Sequence, residues 1–172
     1  MIVFAHGLEG TPEGSKVQAL RAAGFPVDAP DGQGMVLADR IPGLREALLR
    51  HADRAPGERL VLAGSSYGGL AAAWLAVEQG HRLDGLLLLA PALHHREPPA
   101  SQPEALVAPP AVPTVIIHSR DDDIVPISVS RAYLAASRAL GRSVELIEVD
   151  GDHALRGQLE VIVEQAGGLL GR

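Results

Sequence analysis

Five short runs, residues 2–5, 60–63, 86–90, 115–117 and 144–149, alternate along the chain with longer segments of helical period, and most of the runs are continuously apolar. Strands buried on both faces read this way, because neither face can carry polar side chains, and strand–helix alternation builds βαβ units around a parallel sheet. A sixth, weaker run spans residues 25–29. The expected class is α/β: a three-layer sandwich of about six mainly parallel strands.

The intervening segments carry helix signals. Ser15 with Gln18 three residues on reads as a capping box, followed by Val17, Leu20 and Ala23 before Gly24. Pro42 opens a second predicted helix over residues 42–52, since proline is tolerated at a first helical position and costs about 3 kcal/mol inside. A third begins at or near Ser66, with Leu70, Trp74 and Val77 in phase. Val129, Tyr133, Ala136 and Leu140 mark a fourth, and Leu155, Leu159, Ile162 and Ala166 a fifth. Residues 91–113 hold seven prolines, which forbids a sustained helix and predicts a long loop able to line a site.

Composition narrows the function classes. A chain of 172 residues is expected to form one domain over residues 1–172. The formal net charge of −6 disfavours nucleic acid as a partner. The absence of cysteine excludes thiolate nucleophiles, cysteine-held metals and disulfides. No signal-peptide pattern follows Met1 and no apolar stretch reaches the ~20 residues of a membrane span, so a cytoplasmic protein is expected.

The sharpest chemical signal is Gly64-Ser65-Ser66-Tyr67-Gly68, a G-x-S-x-G pattern between an apolar strand and a helix. So tight a turn requires small flanking residues and leaves the central Ser66 exposed at the bend. The bland reading is a glycine-rich helix entry with a capping serine. A serine nucleophile requires a general base and a carboxylate that orients it. In an open parallel sheet, reacting groups gather at the carboxyl ends of the strands. Two segments lie there: His118-Ser119-Arg120-Asp121-Asp122-Asp123-Ile124-Val125-Pro126, and Asp150-Gly151-Asp152-His153.

These residues resemble the α/β-hydrolase superfamily, in the chain order Ser, Asp, His. The segment 118–126 is similar to the family's H-G-x-x-D-x-x-V-P, with Ser119 in place of the usual glycine. Counting back from Val125-Pro126 puts the acid at Asp122, with Asp121 and Asp123 as alternatives. Asp152-His153 resembles the G-x-H turn that carries the base, which makes His153 the implied base. His6-Gly7-Leu8-Glu9-Gly10 is similar to the family's H-G-x-x-G, so the resemblance implies an oxyanion hole from the backbone N–H groups of Leu8 and Tyr67, with His6 structural. Asp31-Gly32-Gln33-Gly34 resembles the family's D-x-x-G loop. The short form, lacking the first two family strands and any cap domain, looks most like the YqiA-like esterases and the small serine hydrolases related to retinoblastoma-binding protein 9.

The resemblance implies a carboxylesterase or thioesterase that passes through an acyl-enzyme on a small-molecule acyl ester or thioester, at a shallow site suited to small or exposed acyl groups. No cofactor and no metal are expected. Leu37 stands where a G-x-G-x-x-G fingerprint would need its last glycine, His94-His95 lacks a completing ligand pair, and Asp121 to Asp123 lacks the spacing of a calcium loop. The alternative is a catalytically weak hydrolase-fold protein used for ligand or protein binding, to which the proline-rich loop would be suited.

Overall fold

The computed structural model describes residues 1–53, 55 and 57–172. Among these residues six strands form one sheet: β1 (Ile2–Ala5), β2 (Val27–Asp28), β3 (Val61–Ser65), β4 (Gly85–Leu89), β5 (Thr114–Ser119) and β6 (Val144–Val149). Their order is β2-β1-β3-β4-β5-β6, and every pairing is parallel, so the sheet is wholly rather than mainly parallel.

The period of two along each strand sorts the core into two layers. Val3, Leu62, Leu88 and Ile116 face the helices α2 (Leu37–Arg50), α3 (Tyr67–Gln79) and α4 (Ser128–Ala139). Phe4, Ala63, Leu87 and Ile117 face α1 (Ser15–Ala22) and α5 (Leu159–Leu170). The chain runs outward from β1 to β2 and returns past β1 to β3. A crevice outside the carboxyl ends of the strands opens at such a reversal, which is where an open α/β sheet binds ligands.

Several local expectations are corrected. Helix α2 starts at Leu37 and takes Pro42 into its interior. The loss of one backbone hydrogen bond there is outweighed by burial of Leu37 and Ile41, each contributing about 1.5–3 kcal/mol. The capping box at Ser15 does not form: Gly14 is the N-cap, and the Gln18 amide donates to Glu13 Oε2 at 2.5 Å instead. Strand β2 shrinks to two residues, because Pro26 and Pro30 flank it and Phe25 packs into the α1–α5 layer. Leu155 is buried but outside α5: it adopts φ 55° and precedes a short 3₁₀ turn, Arg156–Gln158. The proline-rich connection from β4 to β5 contains only the 3₁₀ turn Pro103–Ala105 and one bridge between Glu97 and Ala100. Among the described residues, no helix is long and apolar enough to cross a membrane.

Candidate active site

Ser66 stands between the last residue of β3 and the first of α3, with φ 55° and ψ −119°. A non-glycine residue held there carries about 1–3 kcal/mol of strain and persists only where its surroundings fix it. They do so from both sides of the peptide. The Ser66 N–H donates to Leu89 O at 2.8 Å, and the Ser66 carbonyl accepts from Leu70 at 3.1 Å and Ala92 at 3.0 Å. The flanking glycines explain the motif. A Cβ on Gly64 would collide with the Gly68 carbonyl and lie 2.8 Å from Ala72 Cβ, and one on Gly68 would collide with the Ala5 and His6 carbonyls.

The loop after β6 delivers His153 to this serine. Its Nε2 is 2.9 Å from Ser66 Oγ, and its Nδ1 is 2.7 Å from Asp122 Oδ2. An ionised carboxylate only accepts, so the ring proton sits on Nδ1 and the free Nε2 accepts from the Ser66 hydroxyl. The Asp122 side chain is wholly buried. Burial works to raise its pKa, but the hydrogen bond from His153 and the amides of Val125 and Ile124, 2.8 and 2.9 Å away, outweigh it and hold the carboxyl below its ordinary value. Asp121 and Asp123 are exposed, and neither carboxylate bonds His153 among the described residues.

His118, which opens the 118–126 segment and to which the sequence assigns no role, supports Asp122. His118 is fully buried, and its Nε2 faces two acceptors, Val125 O at 2.9 Å and Asp122 Oδ2 at 3.1 Å. Its proton therefore lies on Nε2, and Nδ1 accepts from the Ser130 hydroxyl at 2.7 Å. Burial lowers its pKa and keeps it neutral. The i, i+4 spacing of His118 and Asp122 was the available signal.

Leu8 and Tyr67 line the same cleft of about 830 Å³ as Ser66 and His153. The amides of both find no backbone acceptor among the described residues, as befits a loop and a first helical residue. His6 fixes the Leu8 loop. Its Nδ1 donates to Gly7 O at 2.8 Å, and its Nε2 accepts from the Gly32 N–H at 3.0 Å, which ties the loop to residues 31–34. Arg40 adds a bond to His6 O at 2.9 Å and lies 4.8 Å from the centre of the Tyr67 ring. The Tyr67 hydroxyl donates to Glu97, which anchors the proline-rich loop beside the cleft. Burial and that bond push the Tyr67 phenol up to about 12.

His94 and His95 also line the cleft, and among the described residues no group of three or more His, Asp or Glu side chains is arranged to hold a metal. Among the described residues, three side chains outside the 150–154 segment latch its backbone: Gln158 to Asp150 O at 2.8 Å, Ser119 to Gly151 O at 2.5 Å and Lys16 to Ala154 O at 2.6 Å. Sequence reading missed the first and third, and noticed Ser119 only as an oddity.

A comparison with curated proteins gives no sequence match. Among solved structures, one from Xanthomonas campestris pv. campestris, described as a hydrolase of the α/β superfamily, is 26% identical with a TM-score of 0.77, covering 99% of this chain and 97% of its own. A structure from the work on LipS and LipT, metagenome-derived lipolytic enzymes, is 20% identical with a TM-score of 0.79, covering 99% and 92%. Est1E from Butyrivibrio proteoclasticus, with ferulic acid bound, is 18% identical with a TM-score of 0.77, covering 99% and 89%. The fold is that of the α/β hydrolases. The sequence model described as Serine hydrolase matches residues 37–152, a span that contains Ser66 and Asp122 and stops one residue short of His153. That span is more than half of the chain, which therefore belongs to the serine hydrolase family.

Proposed function

We propose that the protein is a carboxylesterase or thioesterase whose nucleophile is Ser66, whose general base and acid is His153, and whose orienting carboxylate is Asp122. The observation that carries this reading is the unbroken relay of hydrogen bonds from Ser66 Oγ through His153 to Asp122, at 2.9 and 2.7 Å. Ser66 Oγ attacks the acyl carbonyl carbon while its proton passes to His153 Nε2. Asp122 holds the Nδ1 proton and stabilises the imidazolium that forms. The carbonyl oxygen, now negative, is met by the amides of Leu8 and Tyr67, each such donor being worth roughly 2.7–4 kcal/mol. Collapse breaks the bond to the leaving oxygen or sulfur, which takes the proton from His153 Nε2. Water, deprotonated by the same nitrogen, then releases the acid and restores Ser66.

The acyl group is apolar. Four large apolar side chains that border the cleft, Leu8, Met35, Val36 and Ile124, are 41–61% exposed, and a bound acyl chain would cover them. The ester class has further support in the fold shared with the lipolytic enzymes and with Est1E. A series of p-nitrophenyl esters from acetate to octanoate, with one thioester and one anilide, tests the reading. Esters and the thioester should turn over, and Ser66→Ala should lower kcat by about 10⁴ or more. Equal turnover by the variant would overturn it.

A further inference from the structure

Lys16 is the chain's sole lysine beside 14 arginines. It is the second residue of α1, half-buried on the wall of the cleft, and its Nζ donates to the carbonyl of Ala154, the residue after His153. Among the described residues it enters no ion pair: Asp152 and Arg156 act on it only at longer range, and Asp152 is engaged with Arg156 at 3.6 Å. Taking an ammonium out of water is costly unless an anion or several acceptors meet it, and here one neutral carbonyl does. Burial, partly offset by Asp152, brings its pKa down to about 8, so it is chiefly protonated at neutral pH. Arg156 adds a second cation to this flank. The cleft's carboxylates lie on other segments: Glu9 beside Leu8, and Glu97 already accepting from Tyr67.

The side of the cleft that this cation occupies follows from the chemistry. His153 Nε2 must protonate the departing atom, so the leaving group lies against His153 and its neighbours, among them Ala154, whose carbonyl holds Lys16. Resting on the reading of Ser66 and His153 above, we infer that Lys16 binds an anionic group, a carboxylate or a phosphate, on the alcohol or thiol portion of the substrate.

Three butyryl esters test this: those of 4-hydroxybenzoate, of 4-hydroxyphenyl phosphate and of the neutral 4-hydroxybenzamide. The quantity read is kcat/KM for each anionic ester divided by that for the neutral one, which cancels any general loss. Lys16→Gln keeps a donor for Ala154 O and removes the charge, so it should lower the ratio for at least one anionic ester about tenfold, and Lys16→Arg should restore it. Which ester responds tells carboxylate from phosphate. A ratio unchanged within twofold for both would overturn the inference. Calorimetric Kd values for the same esters in Ser66→Ala protein, with and without Lys16→Gln, read the preference without turnover. A Lys16-dependent anion preference in a protein whose unsubstituted form hydrolyses none of the esters would leave Lys16 as an anion-binding residue but remove the catalytic reading, and would overturn the assignment of that anion to a leaving group.

Discussion

The elbow at Ser66 and the loop carrying His153 end on the same hydrogen bond but are held by different means. At the elbow the backbone does the holding: a strained serine is pinned by three main-chain bonds, and two glycines let α3 approach β3 and β1 too closely for any Cβ. At residues 150–154 the chain is mostly exposed, and side chains from β5, α1 and the turn before α5 hold its carbonyls. A site built this way tolerates side-chain changes around its nucleophile's backbone poorly and changes around its base by degrees. In the proposed reaction the Ser66 backbone stays fixed while His153 takes up and returns a proton beside an Asp122 that remains ionised.

The largest expected effect lies where the two regions are joined electrically. Asp122→Asn should reduce kcat by about 10⁴, because the amide no longer fixes the Nδ1 proton, whereas Asp121→Asn and Asp123→Asn should change it by only about twofold, as for exposed polar sites. Equal losses at all three would dissolve the assignment of Asp122. Next comes packing: Gly68→Ala should cost about 3 kcal/mol in denaturant unfolding, since the new methyl meets backbone on β1, but Gly157→Ala, with open space around it, less than about 0.5. Similar values for the two would mean that the elbow is no tighter than the loop.

Smaller again is the latch. Ser119→Ala removes the donor to Gly151 O and should lower kcat about tenfold with KM little changed, the signature of a displaced base rather than weaker substrate binding. An unchanged kcat would make the Ser119 bond incidental. The smallest effect concerns pH. Because the Asp122 carboxyl is held low in the fold, its stabilisation is complete above the unfolded value near ~3.9 and is lost as pH falls through the folded value. Thermal melts between pH 5 and 3 should therefore decline less steeply in Asp122→Asn than in the unsubstituted protein.

Much of this arrangement was legible in the sequence, for identifiable reasons. Strands β1, β3, β4, β5 and β6 announce themselves because burial on both faces leaves little choice of residue, and strand ends at one edge of a parallel sheet bring segments 118–126 and 150–153 to Ser66, while the choice of Asp122 and His153 within them comes from the resemblance to the α/β hydrolases. What escaped was whatever depends on a neighbour distant in sequence. The Lys16 bond to Ala154 spans 138 positions, and no local pattern marks it. The early start of α2 escaped because burial of Leu37 and Ile41 overrides the local cost of Pro42. Leu155 kept its apolar phase while leaving the helix, since side-chain burial does not require helical backbone.

The central claim, that Ser66 is a nucleophile activated by His153, is tested most directly by intact-mass and peptide mapping after exposure to a fluorophosphonate. One adduct per chain should appear, on Ser66, and it should be lost in Ser66→Ala and formed far more slowly in His153→Ala. Folded protein that takes up no adduct, or takes it up at another residue, would contradict the account.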